Sequence, residues 1–274
     1  RGARRVPCGT VSVRRVRLDQ LLHERGAFAS RSRAAASVLA GEVTVGAPGR
    51  RAEKPGQLVA EDVEVVLADA PAYVSRGGIK LANALDRLGI DVAGTRALDV
   101  GASTGGFTDC LLQRGATQVA AVDVAYGELD WKLRTDPRVT VIERTNARSL
   151  TAAQLPFAAD TIVIDVSFIS LTKVLAAVLT CAAARYDCLA MIKPQFEVGR
   201  GRVGKGGVVR EPQLRRETLI TVAEAAAALG ASVCGFASSG LAGPKGNRET
   251  FVWLAEATRG GVVDVSAAAY EVEP

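Results

Sequence analysis

Residues 98–107 read LDVGASTGGF, an apolar strand end running into a glycine turn. RALDV (96–100) precedes the turn, and GGFTDCLLQRG (105–115) continues it as a helix opening on glycines. Strand, glycine turn and helix in that order begin the nucleotide-binding half of an open α/β sheet. A dinucleotide fingerprint would need glycine at positions 101, 103 and 106, but position 103 is Ser. The middle glycine lets a pyrophosphate reach the backbone, so its absence argues against NAD or FAD.

A nucleoside cofactor without a pyrophosphate needs only a tight turn and a close backbone, which Gly101 and Gly105 supply. S-adenosylmethionine is such a molecule. Asp123 ends the next strand, QVAAVDV (118–124), roughly 20 residues after the glycines, where a carboxylate grips ribose hydroxyls. Further apolar strands follow at VTVIE (139–143), TIVIDV (161–166) and CLAMIK (188–193), then ASVCGFASS (231–239) and TFVWLAE (250–256). Helices are expected at IKLANALDRLG (79–89), SLTKVLAAVLTCAAA (170–184) and ETLITVAEAAAALG (217–230). Alternating helices and continuous apolar strands predict an α/β domain with a doubly wound, mostly parallel sheet.

The amino-terminal part is built differently. Residues 1–33 hold nine arginines against Asp19 and Glu24, a balance of +7 that leaves −2 for the rest of the +5 chain. Residues 1–15 are expected to be a disordered basic arm. RLDQLLHER (17–25) places Leu18, Leu21 and Leu22 on one helical face, stopped by Gly26. Ser30 caps a second helix, SRSRAAASVLAG, ended by Gly41. EVTV (42–45) and VEVVLA (63–68) read as strands, giving a small α+β unit over 16–69 and a linker over 70–75. A basic head on a near-neutral body predicts a polyanion partner.

Several classes are excluded. Five scattered cysteines and one histidine make no zinc site, so no metal is expected. The longest apolar run, 174–184, is far short of the roughly 20 residues a membrane span needs. Without a secretory segment, the expectation is a cytoplasmic protein with reduced thiols, acting as a monomer. GRGRVGKGG (199–207) imitates a phosphate loop but carries Gly206 where a Ser or Thr would hold Mg²⁺. It leads into VVREP rather than a helix, so it reads as a glycine-rich lip whose Arg200, Arg202 and Lys205 meet phosphates.

Four charged residues mark the expected crevice. Asp165 and Lys193 end strands, Lys80 follows the glycines of SRGGIK, and Glu249 precedes the last strand in NRETFVW. Ligands in open α/β sheets bind at the carboxyl ends of strands. SRGGIKL, LDVGASTGGFTDCLL, ERTNAR, DVSFISL, KPQFEVGRGRVGKGGVV and GPKGNRETFVWL together resemble the TlyA (haemolysin A) family of ribosomal RNA 2′-O-methyltransferases. The resemblance spans residues 16 to about 255 and implies an FtsJ-like, Rossmann-like class I methyltransferase domain over 76–274. It places a catalytic tetrad on Lys80, Asp165, Lys193 and Glu249. It also implies that Gly101 and Ser103 hold the methionine end of S-adenosylmethionine, Asp123 its ribose and Asn146 its adenine. Thr104, Gly105, Gly106, Phe107 and Asp165 complete the expected cofactor contacts.

RLDQLL, SRSRAAASVL and GEVTV resemble the S4 RNA-binding domain, which implies that Arg15, Arg17, Arg31 and Arg33 face structured ribosomal RNA. The resemblance thus implies methylation of cytidine on a ribosomal subunit. A ribose 2′-hydroxyl is a poor nucleophile, so Lys193, oriented by Asp165, would take its proton or stabilise the alkoxide. Two other readings remain open to test, a catalytically silent ribosome-assembly factor and a membrane-acting haemolysin. Methyl transfer separates the first from an enzyme, and liposome leakage identifies the second.

Overall fold

The computed structural model describes residues 14–47, 49–67 and 72–273, and the chain divides into two compact units, 1–70 and 71–274. Most of the expected arm therefore lies outside the described residues, while Arg15 is already in a strand.

The first unit runs β1 (Arg15–Arg17), α1 (Leu18–Glu24), α2 (Arg31–Ala40), β2 (Val43–Val45), β3 (Arg50–Arg51), β4 (Leu58–Ala60) and β5 (Val65–Leu67). β1 pairs antiparallel with β4, while β2 lies between β3 and β5. The sequence reading missed β1, β3 and β4. Two or three residues leave too little alternation to register as a period. Leu18, Leu21 and Leu22 of α1 do bury their common face, against Ala34, Val38 and Val43. Ser30 accepts the backbone N–H of Arg33 at 3.3 Å, and Gly41 ends α2 in the left-handed region.

The second unit begins before the expected linker ends. Tyr73 and Val74 pack into its core, and the Val74 N–H donates to Asp109 at 2.8 Å. Its elements are α3 (Arg76–Leu88), β6 (Arg96–Val100), α4 (Gly106–Gln113), β7 (Gln118–Val122), α5 (Trp131–Arg134) and β8 (Val139–Ile142). These lead into β9 (Ala159–Ile164), α6 (Leu175–Leu179), β10 (Ala182–Ile192), α7 (Pro194–Glu197), α8 (Pro212–Ala228), β11 (Ser232–Ser238), β12 (Thr250–Ala255) and α9 (Val265–Val272).

The seven strands lie in the order β8-β7-β6-β9-β10-β12-β11. β12 runs antiparallel to both of its neighbours, and the remaining ladders are parallel. The order reverses beside β6, so the crevice opens there between the ends of β6 and β9. Residues alternate between faces. Leu98, Val100, Ile162 and Ile164 pack with Leu175, Val178, Leu219 and Val222 of α6 and α8. Ala97, Val163, Leu189 and Met191 pack with Leu81, Leu85, Cys110 and Leu111 of α3 and α4. Burial on both faces is why the strands read as unbroken apolar runs.

Two expected helices change extent. The helix over 170–184 shrinks to a 3₁₀ turn at Leu171–Lys173 and α6, while Ala182–Ala184 join β10. Alanine favours helix, but pairing of Ala182 with Ala159 of β9 overrides that local preference. α8 starts earlier than expected, at Pro212, because proline suits the first helical turn, where its missing N–H costs nothing.

Candidate active site

The turn after β6 is shaped by backbone constraints. Gly101 sits at φ +87°, and a Cβ there would lie 2.4 Å from the carbonyl oxygen of Asp165. Glycine is needed both for its left-handed backbone and for this close approach. The Gly101 and Ala102 N–H groups both donate to the Val122 carbonyl, at 2.8 and 3.1 Å. Asp123 then clasps the turn from β7, accepting Ser103 N–H at 2.7 Å and Ala125 N–H at 2.8 Å, one on each carboxylate oxygen. Each oxygen keeps a second lone pair for a ligand.

Three cavities meet around this turn. The first, of about 460 Å³, is lined by Gly101, Ser103, Asp123, Asn146 and Asp165 among others. Asn146 accepts the Arg148 N–H at 3.0 Å and so fixes the 3₁₀ turn beneath it. The second, about 350 Å³, lies between the starts of α3 and α4 and includes Ser75, Gly77, Lys80, Thr104, Gly106 and Phe107. α3 and α4 approach closely there, since a Cβ on Gly106 would lie 2.1 Å from Ser75 Oγ. The third, about 440 Å³, carries Lys80, Asp165, Lys193 and Glu249 together. Asp165 lines all three.

Not every expected cofactor contact faces these spaces. Gly105 lines none of them. Its φ is +95°, and a Cβ would lie 2.3 Å from Leu133 Cδ1, so packing against α5 explains that glycine. Phe107 reaches the second cavity but is otherwise a core residue, its ring 5.8 Å from that of Phe251.

The four charged residues form two ion pairs, Lys80 with Glu249 and Lys193 with Asp165. Glu249 is only 2% exposed, and Gly243 makes room for it, because a Cβ there would fall 2.4 Å from Glu249 Oε1. Lys193 also donates to Ser167 Oγ at 2.9 Å. Ser167 and its neighbour Phe168 were missed in the sequence. Phe168 is 91% exposed at φ +65°, tilted against Phe196 with centroids 5.2 Å apart. Nothing in the pattern DVSFIS distinguishes an outward phenylalanine from a core one.

Asp99 was also missed. It is fully buried on β6 and accepts Thr108 Oγ at 2.7 Å, while its other oxygen has no partner among the described residues. Burial pushes its carboxyl up to about 7, with the charges of Asp165 and Asp123 adding to the shift. An acid whose folded value is raised binds its proton more tightly in the native state. Stability should therefore fall as pH rises from about 4 through about 7, by roughly 1.4 kcal/mol per pH unit at most. Asp99→Asn should flatten that slope between pH 5 and 7 in denaturant titrations; an unchanged slope would assign it elsewhere.

The amino-terminal arginines are partly engaged. Arg17 makes a two-point contact with Asp19 at 2.8 and 3.0 Å, and Arg31 reaches the same carboxylate at 3.4 Å. Arg15 donates to the Leu58 carbonyl, whereas the exposed Arg33 has no side-chain partner among the described residues. In the glycine-rich segment Arg202 is paired with Glu217 and Lys205 is exposed; the side chain of Arg200 lies outside the described set. The segment is anchored by buried Asn247, which accepts Val209 N–H at 2.9 Å and donates to the Gly207 carbonyl at 2.8 Å.

The sequence profile of the FtsJ-like methyltransferases matches residues 73–256. A 16S/23S rRNA (cytidine-2′-O)-methyltransferase, TlyA of Mycobacterium tuberculosis, is 50% identical over 88% of this chain and 90% of its own. The chain belongs to the TlyA family of FtsJ-like methyltransferases. Bacillus subtilis YqxC, a candidate rRNA methyltransferase of the family, is 42% identical over 89% of this chain and 87% of its own. A solved structure from Streptococcus thermophilus, described as a candidate hemolysin, is 36% identical at a TM-score of 0.71 and covers 95% of this chain and 96% of its own. Among the described residues no helix is long and apolar enough to cross a membrane.

The family's cofactor is S-adenosylmethionine, and the residues present suit it. Asp123 offers free lone pairs to a ribose diol, Asn146 an amide beside a base, and the paired helix starts favour a carboxylate.

Proposed function

We propose that the protein methylates the ribose 2′-hydroxyl of cytidine in ribosomal RNA, using S-adenosylmethionine. The observation that carries this reading is Asp165, the one residue common to the two cofactor-side cavities and the cavity holding both lysines. Bound S-adenosylmethionine supplies a sulfonium methyl already activated for displacement. The chain's own task is to hold the acceptor oxygen in line and manage its proton.

Lys193 is the group assigned to that oxygen. Asp165 and Ser167 fix its Nζ from two sides, so that without reorganising it can take the hydroxyl proton when it is the neutral amine, or neutralise the forming alkoxide when it is the ammonium. Lys80 is pinned by Glu249 in the same cavity, a charge-balanced pair that fixes both side chains where the ribose would bind. Phe168 offers a flat apolar face to the base.

Residues 16–69 take the role of an S4-like module that docks on structured RNA, with exposed Arg33 and the half-exposed Arg17 and Arg31 facing phosphate. The two lysines supply the positive charge the reaction needs, so the reading assigns no metal. It places a monomer on the ribosomal subunits of the cytoplasm.

Labelled methyl transfer from S-adenosylmethionine to isolated ribosomal subunits, followed by nuclease digestion and mass analysis, should yield 2′-O-methylcytidine. Label on a base, or none on either subunit, would sink the proposal.

A further inference from the structure

The reaction cleft does not end at Phe168. Beyond it lies another cavity of about 550 Å³, which shares Phe168, Gln195 and Phe196 with the cleft as a common wall. Its rim carries two cations, Arg148 and Lys173, and among the described residues no carboxylate lines it. Both cations are exposed and neither has an ion-pair partner among the described residues. The acid nearest its lining in sequence, Glu197, is not among the lining residues and is held by Ser170 Oγ at 2.6 Å and Leu171 N–H at 2.9 Å, both of which donate to it. Burial raises the pKa of that carboxyl.

Two unpaired cations beside an aromatic pair, in a pocket without acidic lining, have the chemistry of a nucleotide site. A free nucleotide would satisfy that chemistry, but the continuity of the wall favours a connected one. Consecutive nucleotides share a phosphate, so a strand whose ribose sits at Lys193 must run its neighbour along an adjoining wall. We propose that this cavity seats the nucleotide flanking the methylated one, with its phosphate between Arg148 and Lys173 and its base against Phe196. The site recognises RNA backbone and a base face rather than a base edge, and it serves to hold the strand in register. The inference rests on the reading of the protein as an RNA ribose methyltransferase.

The test compares the protein with its Arg148→Ala/Lys173→Ala variant on a ribosomal subunit, across a range of salt. Removing both cations from that one phosphate should weaken RNA binding and reduce the slope of log Kd against log salt by about 0.7 to 0.9. Phe196→Leu should weaken binding about 5- to 100-fold with little change in slope. Cofactor affinity should remain unchanged in both. Arg185→Ala, an exposed cation at the far end of β10, serves as the control and should leave the slope unaltered. An unchanged slope in the double variant would overturn the proposal. So would a nucleoside monophosphate that competes as well as a trinucleotide containing the target, since that marks a free-nucleotide site. Failure of the underlying reading looks different, because the wild-type protein would then transfer no methyl group to RNA.

Discussion

Lys193→Ala should lower single-turnover methyl transfer by about 10²- to 10⁴-fold with RNA and S-adenosylmethionine both saturating. The ammonium stands where β10 ends, paired with Asp165 and bonded to Ser167 at 2.9 Å, in the cavity that also holds Lys80 and Glu249. Alanine removes the only member of that pair able to donate to an alkoxide. Lys80 cannot substitute, because its ammonium is committed to buried Glu249. Cofactor affinity should change little, since Lys193 lines neither of the cofactor-side cavities. Lys193→Arg should fail as well. A guanidinium does not give up its proton in this range, and its planar fork does not fit a position built for a compact ammonium. Calorimetry with the cofactor and rapid-quench methyl transfer separate the two effects. A Lys193→Ala rate near that of the wild type would remove this residue from the chemistry.

The sequence carried more of the large unit than of the small one, for a physical reason. Strands buried on both faces form continuous apolar runs, so β6, β7 and β9 were visible from composition alone. β1, β3 and β4 were not, because two or three residues cannot display a period. Alanine-rich 182–184 failed in the other direction, since only the neighbouring strand decides that it is not helix. That Asp165 and Lys193 would share a crevice was legible because strand ends on a parallel sheet converge on one edge, whereas the grouping of four residues as a tetrad came only from the family resemblance. The pairing of Asp165 with Lys193 was expected. That Glu249 closes on Lys80 depends on the distance between the start of α3 and β12, which no local pattern encodes. Asp99 was hidden by its neighbours: within LDVGAS it reads as one more polar residue before a turn, and only full burial reveals it as a raised acid.

Glu273→Ala, far from the cofactor in sequence, should destabilise the second unit by about 3–5 kcal/mol. Arg215 and Glu273 form an ion pair whose side chains are 9% and 4% exposed, so truncating the acid strands a guanidinium in low dielectric. The same carboxylate receives Arg248 at 3.2 Å, the residue next to Glu249. On its other side Arg215 donates to the carbonyls of Val209 and Arg210, where the glycine-rich segment ends. Glu273 on the end of α9 thus braces two parts of the cleft rim that are remote in sequence, the 243–249 turn and the 199–210 segment. For a domain of this size the loss corresponds to a fall in Tm of about 6–20 °C. RNA-dependent rate should fall further than cofactor affinity, because the braced segments border the substrate cavity rather than the one beneath Asp123. Replacing both partners, as in Arg215→Met/Glu273→Leu, removes the stranded charge and should recover most of the stability, because an apolar pair of similar volume is often neutral at such sites. It should not recover the RNA-dependent rate, since methionine cannot hold the Val209 and Arg210 carbonyls. Thermal unfolding of the single and double variants checks the first half, and methyl transfer at a temperature where both are folded checks the second. A double variant as unstable as Glu273→Ala would mean that packing of α9, not the buried charge, sets the cost.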